Sequence, residues 1–413
     1  MHSSPHQPAT RDGFETHHDV VVVGARCAGA ATALLLARAG HDVLLVDKAR
    51  LPSDTTSTHS LVRGGMVQLA RWGLLKEVLS SGAPPIRTVT FRRYDDEAES
   101  TVRFDVKAKA GIDHMLAPRR YVLDEILADA AVRAGAVLMD ETRVHDVLRS
   151  LDGRVVGVRV VGRHGAARQI SADLMVGADG VRSQVARLVG AALQERHTPG
   201  GACFYTYVGD VDWHGFEFHL AQGAFAGVFP THFDEACVWL MTPTDAARPI
   251  LTSGADRGAA WLAALQQFAP DVADRVRAGS TRARLRGAVG LPNHVRQAAG
   301  PGWALVGDAG YHRDPITGHG ITDAFRDAEL LARAADLALS GLSAWSATLS
   351  MYERERKALL TPTFRITRAL GAFPPPDRFV ELQTELGRAL DAEAEALAIR
   401  PSWLPSDALT AAC

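Results

Sequence analysis

The sequence predicts an α/β fold. A parallel sheet, assembled from separate stretches of chain, is interrupted by an inserted antiparallel sheet and followed by a helical C-terminal region. Three observations predict it. "HDVVVVG" (18–24), "AGAATALLLARAG" (28–40) and "HDVLLVDK" (41–48) read as buried strand, helix and buried strand, one βαβ unit. Residues 201–241 alternate, with many aromatics, at the period of an antiparallel sheet. Strand-then-turn signals return at "GWALVGDAG" (302–310), and helical patterns take over after residue 320.

In chain order, residues 1–17 read as a disordered polar leader, with His2, His6, His17 and His18 in solvent. The helix after the first strand closes at Gly40, since glycine accepts the left-handed turn that ends helices. "RRYVLDEILADAAVRAG" (119–135) is a second helix closed by glycine. "ETRVHDVLRSLDGRVVGVRVVG" (141–162) is a hairpin about an Asp-Gly turn, and "DLMVGADG" (173–180) is another strand and turn. "FPPPDRFVELQTELGRALDAEAEAL" breaks at its prolines before a last helix. The apolar spacing there, Phe379, Leu382, Leu386 and Leu390, suits either an oligomer contact or packing within the chain, so monomer and homodimer are both open. The expected division is 18–85, 108–196 and 286–340 for the nucleotide domain, 86–107 and 197–285 for the inserted sheet, and 341–413 for the helical region.

Composition narrows the function classes. The 413 residues are 47% hydrophobic and 22% charged, with a formal net charge of −2, so a large core is expected and no basic footprint for nucleic acid. No apolar run is long enough to span a membrane and no secretory leader is visible, which makes a cytoplasmic location the expectation. Cys27, Cys203, Cys237 and Cys413 lack metal-site or dithiol spacing, so no metal is expected.

"VGARCAGAA" (23–31) is nearly the glycine-rich turn that brings backbone up to a pyrophosphate at a helix N-terminus. Gly24 and Gly29 hold its first and third glycine positions, with Ala25 and Ala28 between them, but Arg26 occupies the second. The Arg26 guanidinium either lies along the phosphates or adenosine, or faces solvent. Asp47 ends the second strand, where a carboxylate accepts from a ribose diol, with Lys48 beside it.

"GADGVRS" (177–183) and "GDAGYHRDPITGHGITDAF" (307–325) resemble the later fingerprints of the para-hydroxybenzoate hydroxylase-like FAD proteins. Phosphate loop, ribose acid, "RRYVLD", DG turn and GD turn follow in that family's order from residue 19 to about 335. The resemblance implies a discontinuous, Rossmann-like FAD-binding domain. Within it Asp308, after Gly307, accepts from the ribityl chain, and Arg120, or else Arg119, reaches the ribityl or phosphate region. Asp179 and Gly180 hold the DG turn. Gly318, His319, Gly320 and Ile321 lead into a helix whose N-terminus supports charge on the reduced ring, and Pro315 faces the flavin's reactive edge. His319 reads either as a flavin-edge group or as solvent-facing.

The family also implies an activity: monooxygenation through a flavin C4a-hydroperoxide, with NAD(P)H as transient reductant, or a separate flavin reductase, and O₂ as co-substrate. The substrate would be small to medium, aromatic or polyketide-like, and hydroxylated or epoxidised. Its pocket is expected against the inserted sheet, with Tyr205, Phe229 and Pro230 as lining residues. Each of these also reads as plain sheet core. "STHSLVRGGMVQLARWGLL" (57–75) puts His59 near the ring, either as acid–base group or as an orienting hydrogen bond. A reductase of the geranylgeranyl type, acting on C=C bonds, is the alternative. A halogenase is disfavoured, because no WxWxIP signature and no lysine between residues 110 and 356 is present. A non-enzymatic flavin module is disfavoured by the large insert.

Overall fold

The structure, a computed structural model, describes residues 14–94, 99–163 and 165–404. The first sheet has a parallel centre in the order β18 (Trp303–Leu305), β8 (Ala167–Gly177), β1 (Thr16–Val23), β2 (Val43–Val46) and β5 (Val137–Met139). The hairpin β6 (Arg143–Arg149) and β7 (Val155–Val161) lies antiparallel along the first half of β8, and β17 (Ala299–Gly300) closes the far edge. Its central strands are Val/Leu-rich and buried on both faces, as parallel sheets require.

The second sheet is mostly antiparallel. It contains β3 (Thr88–Tyr94), β4 (Glu99–Asp105), β10 (Gly201–Gly209), β11 (Phe216–Ala221), β12 (Ala224–Pro230), β13 (Ala236–Pro243), β14 (Ser280–Thr281) and β15 (Arg286–Val289). A small third sheet joins β9 (Leu193–His197), β16 (Asn293–Arg296) and β19 (Tyr311–His312).

Helices cover both sheets. In order they are α1 (Cys27–Arg38), α2 (Arg63–Arg71), α3 (Leu75–Ser80), α4 (Arg120–Arg133) and α5 (Gln184–Leu188). Then come α6 (Arg248–Thr252), α7 (Arg257–Phe268), α8 (Pro270–Ala278), α9 (Gly320–Leu339), α10 (Trp345–Gly371) and α11 (Pro376–Ile399). The small side chains of α1 let it pack among β1, β2, α4 and α9 with almost every residue buried.

The strand period of two sorts the inserted sheet into two faces. Ala202, Phe204 and Val208 of β10 pack with Trp261, Leu265 and Val272 of α7 and α8. Tyr205 and Tyr207 face the other way, toward Phe229, Trp239, Ile366 of α10 and Phe379 of α11. The apolar positions of α11 therefore serve packing within the chain: Phe379, Leu382 and Leu386 are buried, and the Phe379 ring lies 4.9 Å from that of Phe225.

Two expectations are corrected. The leader was expected to run through residue 17, but Thr16 and His17 already pair with Ile170 and Ser171 as the start of β1. His17 stays exposed, as expected, while its Nδ1 bonds Ser171 Oγ at 3.0 Å; His18 instead is largely covered, with Nδ1 2.9 Å from Asp42. His2, His6 and Cys413 lie outside the described residues. No described helix is long and apolar enough to cross a membrane.

Candidate active site

The separated motifs converge at the C-terminal ends of β1, β2, β8 and β18, where ligands of open parallel sheets bind. Gly24 leaves β1 at φ +104°, and a Cβ there would stand 2.5 Å from the Ala178 carbonyl oxygen, so the phosphate loop abuts the DG turn. A Cβ on Gly307 would stand 3.0 Å from the Cβ of Ala28, so the GD turn abuts the start of α1. Asp47 ties loop to strand by accepting from the amides of Ala25 and Ala49, both at 2.8 Å. Lys48 beside it is exposed.

Arg26, with its side chain 27% exposed, folds back onto the protein. It donates to Ser53 O at 2.9 Å, Ser53 Oγ at 3.0 Å and Asp124 Oδ2 at 3.2 Å. Arg120 meets the same carboxylate at 3.0 Å, and Asp124 also accepts from the Cys27 amide at 3.2 Å. Asp124 is thus a hub that the sequence reading passed over, although its i, i+4 spacing from Arg120 was a signal. Arg119 turns elsewhere, over the Tyr207 ring at 3.5 Å and onto Glu235 at 3.0 Å.

The acidic turns divide their labour. Asp179 caps α5, accepting from the amides of Gln184 (2.6 Å) and Val185 (3.1 Å) and from Ser183 Oγ, which leaves Gly180 with open space beside it. Asp308 is exposed between buried Gly307 and Ala309, and its carboxylate accepts no hydrogen bond from a described residue. Protein crowds it on its other sides. That desolvation, with Asp323 and Asp327 near, holds its pKa above the ordinary carboxylate value against the pull of His312 and Arg120. The turn itself is clamped from behind. The Gly307 amide donates to Asp327 at 3.2 Å, Arg356 pairs with Asp327 at 3.2 Å, and Tyr352 donates to Leu305 O at 2.6 Å.

These residues fit an extended dinucleotide. Two guanidiniums share the one Asp124 carboxylate beside the start of α1, where that carboxylate also takes the Cys27 amide, so one unit of positive charge is left over for a pyrophosphate. The Asp308 carboxylate lacks a protein donor, as an acceptor reserved for hydroxyls should. Gly318 (φ +66°) closes the far end. Ser60 Oγ donates to its carbonyl at 2.7 Å and would collide with a Cβ there, joining the 57–60 segment to the 315–319 loop.

Those two segments bound a cavity of about 670 Å³ between the inserted sheet and α11. Phe216, Phe218, Phe225, Phe229, Trp239 and Met241 form its apolar wall, and Pro315 and His319 line it from the loop. Gly320 is exposed at the start of α9, and Ile321 is buried beside it. Of the expected lining residues only Phe229 reaches the cavity. Tyr205 is spent behind it, accepting from the Ser57 amide at 3.0 Å, and Pro230 is buried at the end of β12. Phe216 and Phe218 were missed, although "GFEFHL" carries their period-two signal.

His59 sits in the left-handed region at φ +66°, fully buried, with Nε2 bonded to the Tyr207 hydroxyl and its ring stacked on Tyr207 at 5.5 Å. A non-glycine residue held there costs on the order of 1 kcal/mol, and such strain concentrates at functional sites. Burial, then the charges of Arg120 and Arg119, holds its pKa well below the ordinary histidine value. Near pH 7 it is therefore a neutral ring, held in place by its hydrogen bond to Tyr207. His232 and His319 are likewise lowered, to about 4 and about 3, chiefly by burial and then by Arg119 and Arg313 respectively.

The sign of the pH effect follows. Unfolded histidines protonate near pH ~6.5, while these folded ones refuse the proton, so stability drops as pH falls below about 6.5. Urea midpoints are expected to decline from about pH 7 to 5, and less steeply in His59→Gln, whose turnover–pH profile above about 6.5 matches wild type. Equal slopes would show that His59 does not titrate on unfolding.

Comparison with known proteins agrees with this geometry. The family model described as an FAD binding domain matches residues 17–366. A digeranylgeranylglycerophospholipid reductase of Methanothrix thermoacetophila is 30% identical over 354 residues, 83% of this chain and 83% of the relative. P. aeruginosa PqsL, solved in complex with 2-aminobenzoylacetate, is 25% identical with a TM-score of 0.75, covering 89% of this chain and 99% of that one. The flavin-dependent brominase Bmp2, 18% identical with a TM-score of 0.79 over 95% of this chain and 97% of its own, shares the fold.

Proposed function

The chain belongs to the FAD binding domain family and is an FAD-dependent oxidoreductase, and from that premise we propose that it is a monooxygenase of a small-to-medium aromatic molecule, using NAD(P)H and O₂. The observation that carries this reading is the aromatic-walled cavity bounded by the 58–63 and 315–319 segments. Flat rings pack edge-to-face against such walls. The likeness to PqsL, solved with an aromatic acid, supports the same substrate class.

FAD, when bound, accepts a hydride and hands two electrons onward, to O₂ or to a polarised double bond. The residues supply the rest. Arg26, Arg120 and the start of α1 would hold the pyrophosphate, Asp47 the ribose and Asp308 the ribityl hydroxyls. Pro315, Gly318 and the start of α9 would support the ring. Tyr207 fixes the neutral His59 behind the 57–60 segment, and the phenylalanine wall excludes water that would otherwise divert the reducing equivalents.

A second reading, reduction of a substrate C=C bond without oxygen, is favoured by the 30% identity to a reductase. Substrate-stimulated NAD(P)H oxidation under air and under argon separates them. The monooxygenase consumes O₂ in step with substrate, and turnover that persists under argon sinks it in favour of the reductase. The Phe229 ring lies 4.4 Å from Phe216 and 5.4 Å from Trp239. Phe229→Leu should therefore raise KM roughly tenfold and divert electrons to H₂O₂, read with a peroxide assay. Unchanged coupling would remove Phe229 from the substrate wall.

A further inference from the structure

One side of the cavity is not apolar. Arg63, Lys107 and Lys109 line it together with Asp105 and Asp391, so three cations face two carboxylates, and His319 on the same lining is held neutral by burial. The cations are arranged rather than scattered. Arg63 Nη1 and Lys109 Nζ (2.6 Å) both converge on Asp391 of α11, while Arg63 Nη2 donates to the Lys107 carbonyl at 2.7 Å. Glu395 stands 3.8 Å from Lys109, behind the lining. Arg63 Nε is buried without a hydrogen-bond partner, and Lys107 makes no ion pair with a described residue. Arg63 is also the first residue of α2, whose N-terminus has no capping side chain and no acid in its first turn. Asp391, the shared partner, is one-third exposed and so can be joined or displaced by a guest anion.

We propose that this rim is an acid-recognition subsite. The substrate is an aromatic acid, with its ring among Phe216, Phe229 and Trp239 and its anionic group on Arg63 and Lys109. The assignment rests on the reading of the cavity as the substrate site, and it names what that reading leaves open. A guanidinium and an ammonium already drawn together bind an organic anion with little reorganisation, and charge-assisted hydrogen bonds are about twice as strong as neutral ones. An uncharged analogue of the same shape leaves that interaction unmade.

Fluorescence titration of the FAD-loaded protein with anilinonaphthalenesulfonate and with its uncharged parent, phenylnaphthylamine, tests this without any turnover. The sulfonate should bind roughly tenfold tighter than the amine. Lys109→Gln and Arg63→Gln should each erase about that advantage and leave the amine within about twofold. Asp391→Asn, which frees both cations and adds no bulk, should strengthen the sulfonate alone. Gly387 lines the cavity on α11 with open space at its Cβ position, so Gly387→Leu should weaken both probes and locate them there. Equal affinities for the two probes, or a sulfonate affinity untouched by Lys109→Gln, overturns the subsite. If both probes still respond to Gly387→Leu in that case, the cavity reading survives and the anchor alone falls. No binding of either probe sinks both.

Discussion

Asp308→Ala is expected to lose FAD and keep its fold. The carboxylate accepts nothing from a described residue, so no hydrogen bond within the protein is broken. What disappears is the acceptor proposed for the ribityl chain. Two hydrogen bonds to a charged group contribute about 3 kcal/mol, roughly a hundredfold in Kd. The stability of the apo-protein should move the other way. Because the folded pKa is raised, ionisation of Asp308 opposes folding as pH rises through that value. Removing the group relieves the opposition near pH 7, and the benefit fades below about 3.9, where the unfolded carboxyl is protonated too. Flavin content after purification, calorimetric FAD titration and apo-protein melting give the three readings. Full flavin occupancy in the variant would end the proposed role of Asp308.

The second large effect is expected at Asp124. Asp124→Ala removes the one carboxylate shared by Arg26 and Arg120 and the acceptor of the Cys27 amide. Asp124 is 1% exposed and Arg120 12%, so the Arg120 guanidinium is left with little water, while Arg26, 27% exposed, keeps Ser53 and some solvent. Breaking a fully buried pair costs about 3–5 kcal/mol, and the exposure of Arg26 puts this loss at the low end, about 3 kcal/mol. FAD should repair part of this, since a pyrophosphate brings negative charge to the same place. The melting shift on adding FAD is therefore expected to be larger in the variant than in wild type, though affinity starts lower because the loop must first be ordered. Asp124→Asn, which keeps the amide acceptor but not the charge, should fall between. An apo melting point equal to wild type would show that the arginines find other partners.

Much of the architecture was readable in advance. The βαβ start, the Asp-Gly hairpin, the antiparallel insert and the closing helices all appear where periodicity and turn residues put them, because these are local signals set by strand and helix geometry. The order of the FAD motifs was readable for a related reason. Gly24 and Gly307 both hold positive φ, and a Cβ on Gly24 would stand 2.5 Å from the Ala178 carbonyl oxygen; such demands leave a residue type behind. Asp179 and Asp308, by contrast, look alike in sequence, each an aspartate after a strand. Only their surroundings separate a helix cap from a carboxylate without a donor.

By itself, then, the sequence determined the fold class, the succession of elements and the cofactor family, all written in spacing and residue type over short stretches. Tertiary structure decided what each side chain is left to do. It folded Arg26 onto Ser53 and Asp124, buried His59 as a neutral ring against Tyr207, and chose Phe216 and Phe218 over Tyr205 and Pro230 for the cavity wall. It also drew Arg63 and Lys109 to Asp391, more than 280 residues away in sequence. The physical reason is that hydrogen bonding, charge and desolvation depend on neighbours in space, and those neighbours come from distant segments that no local pattern records.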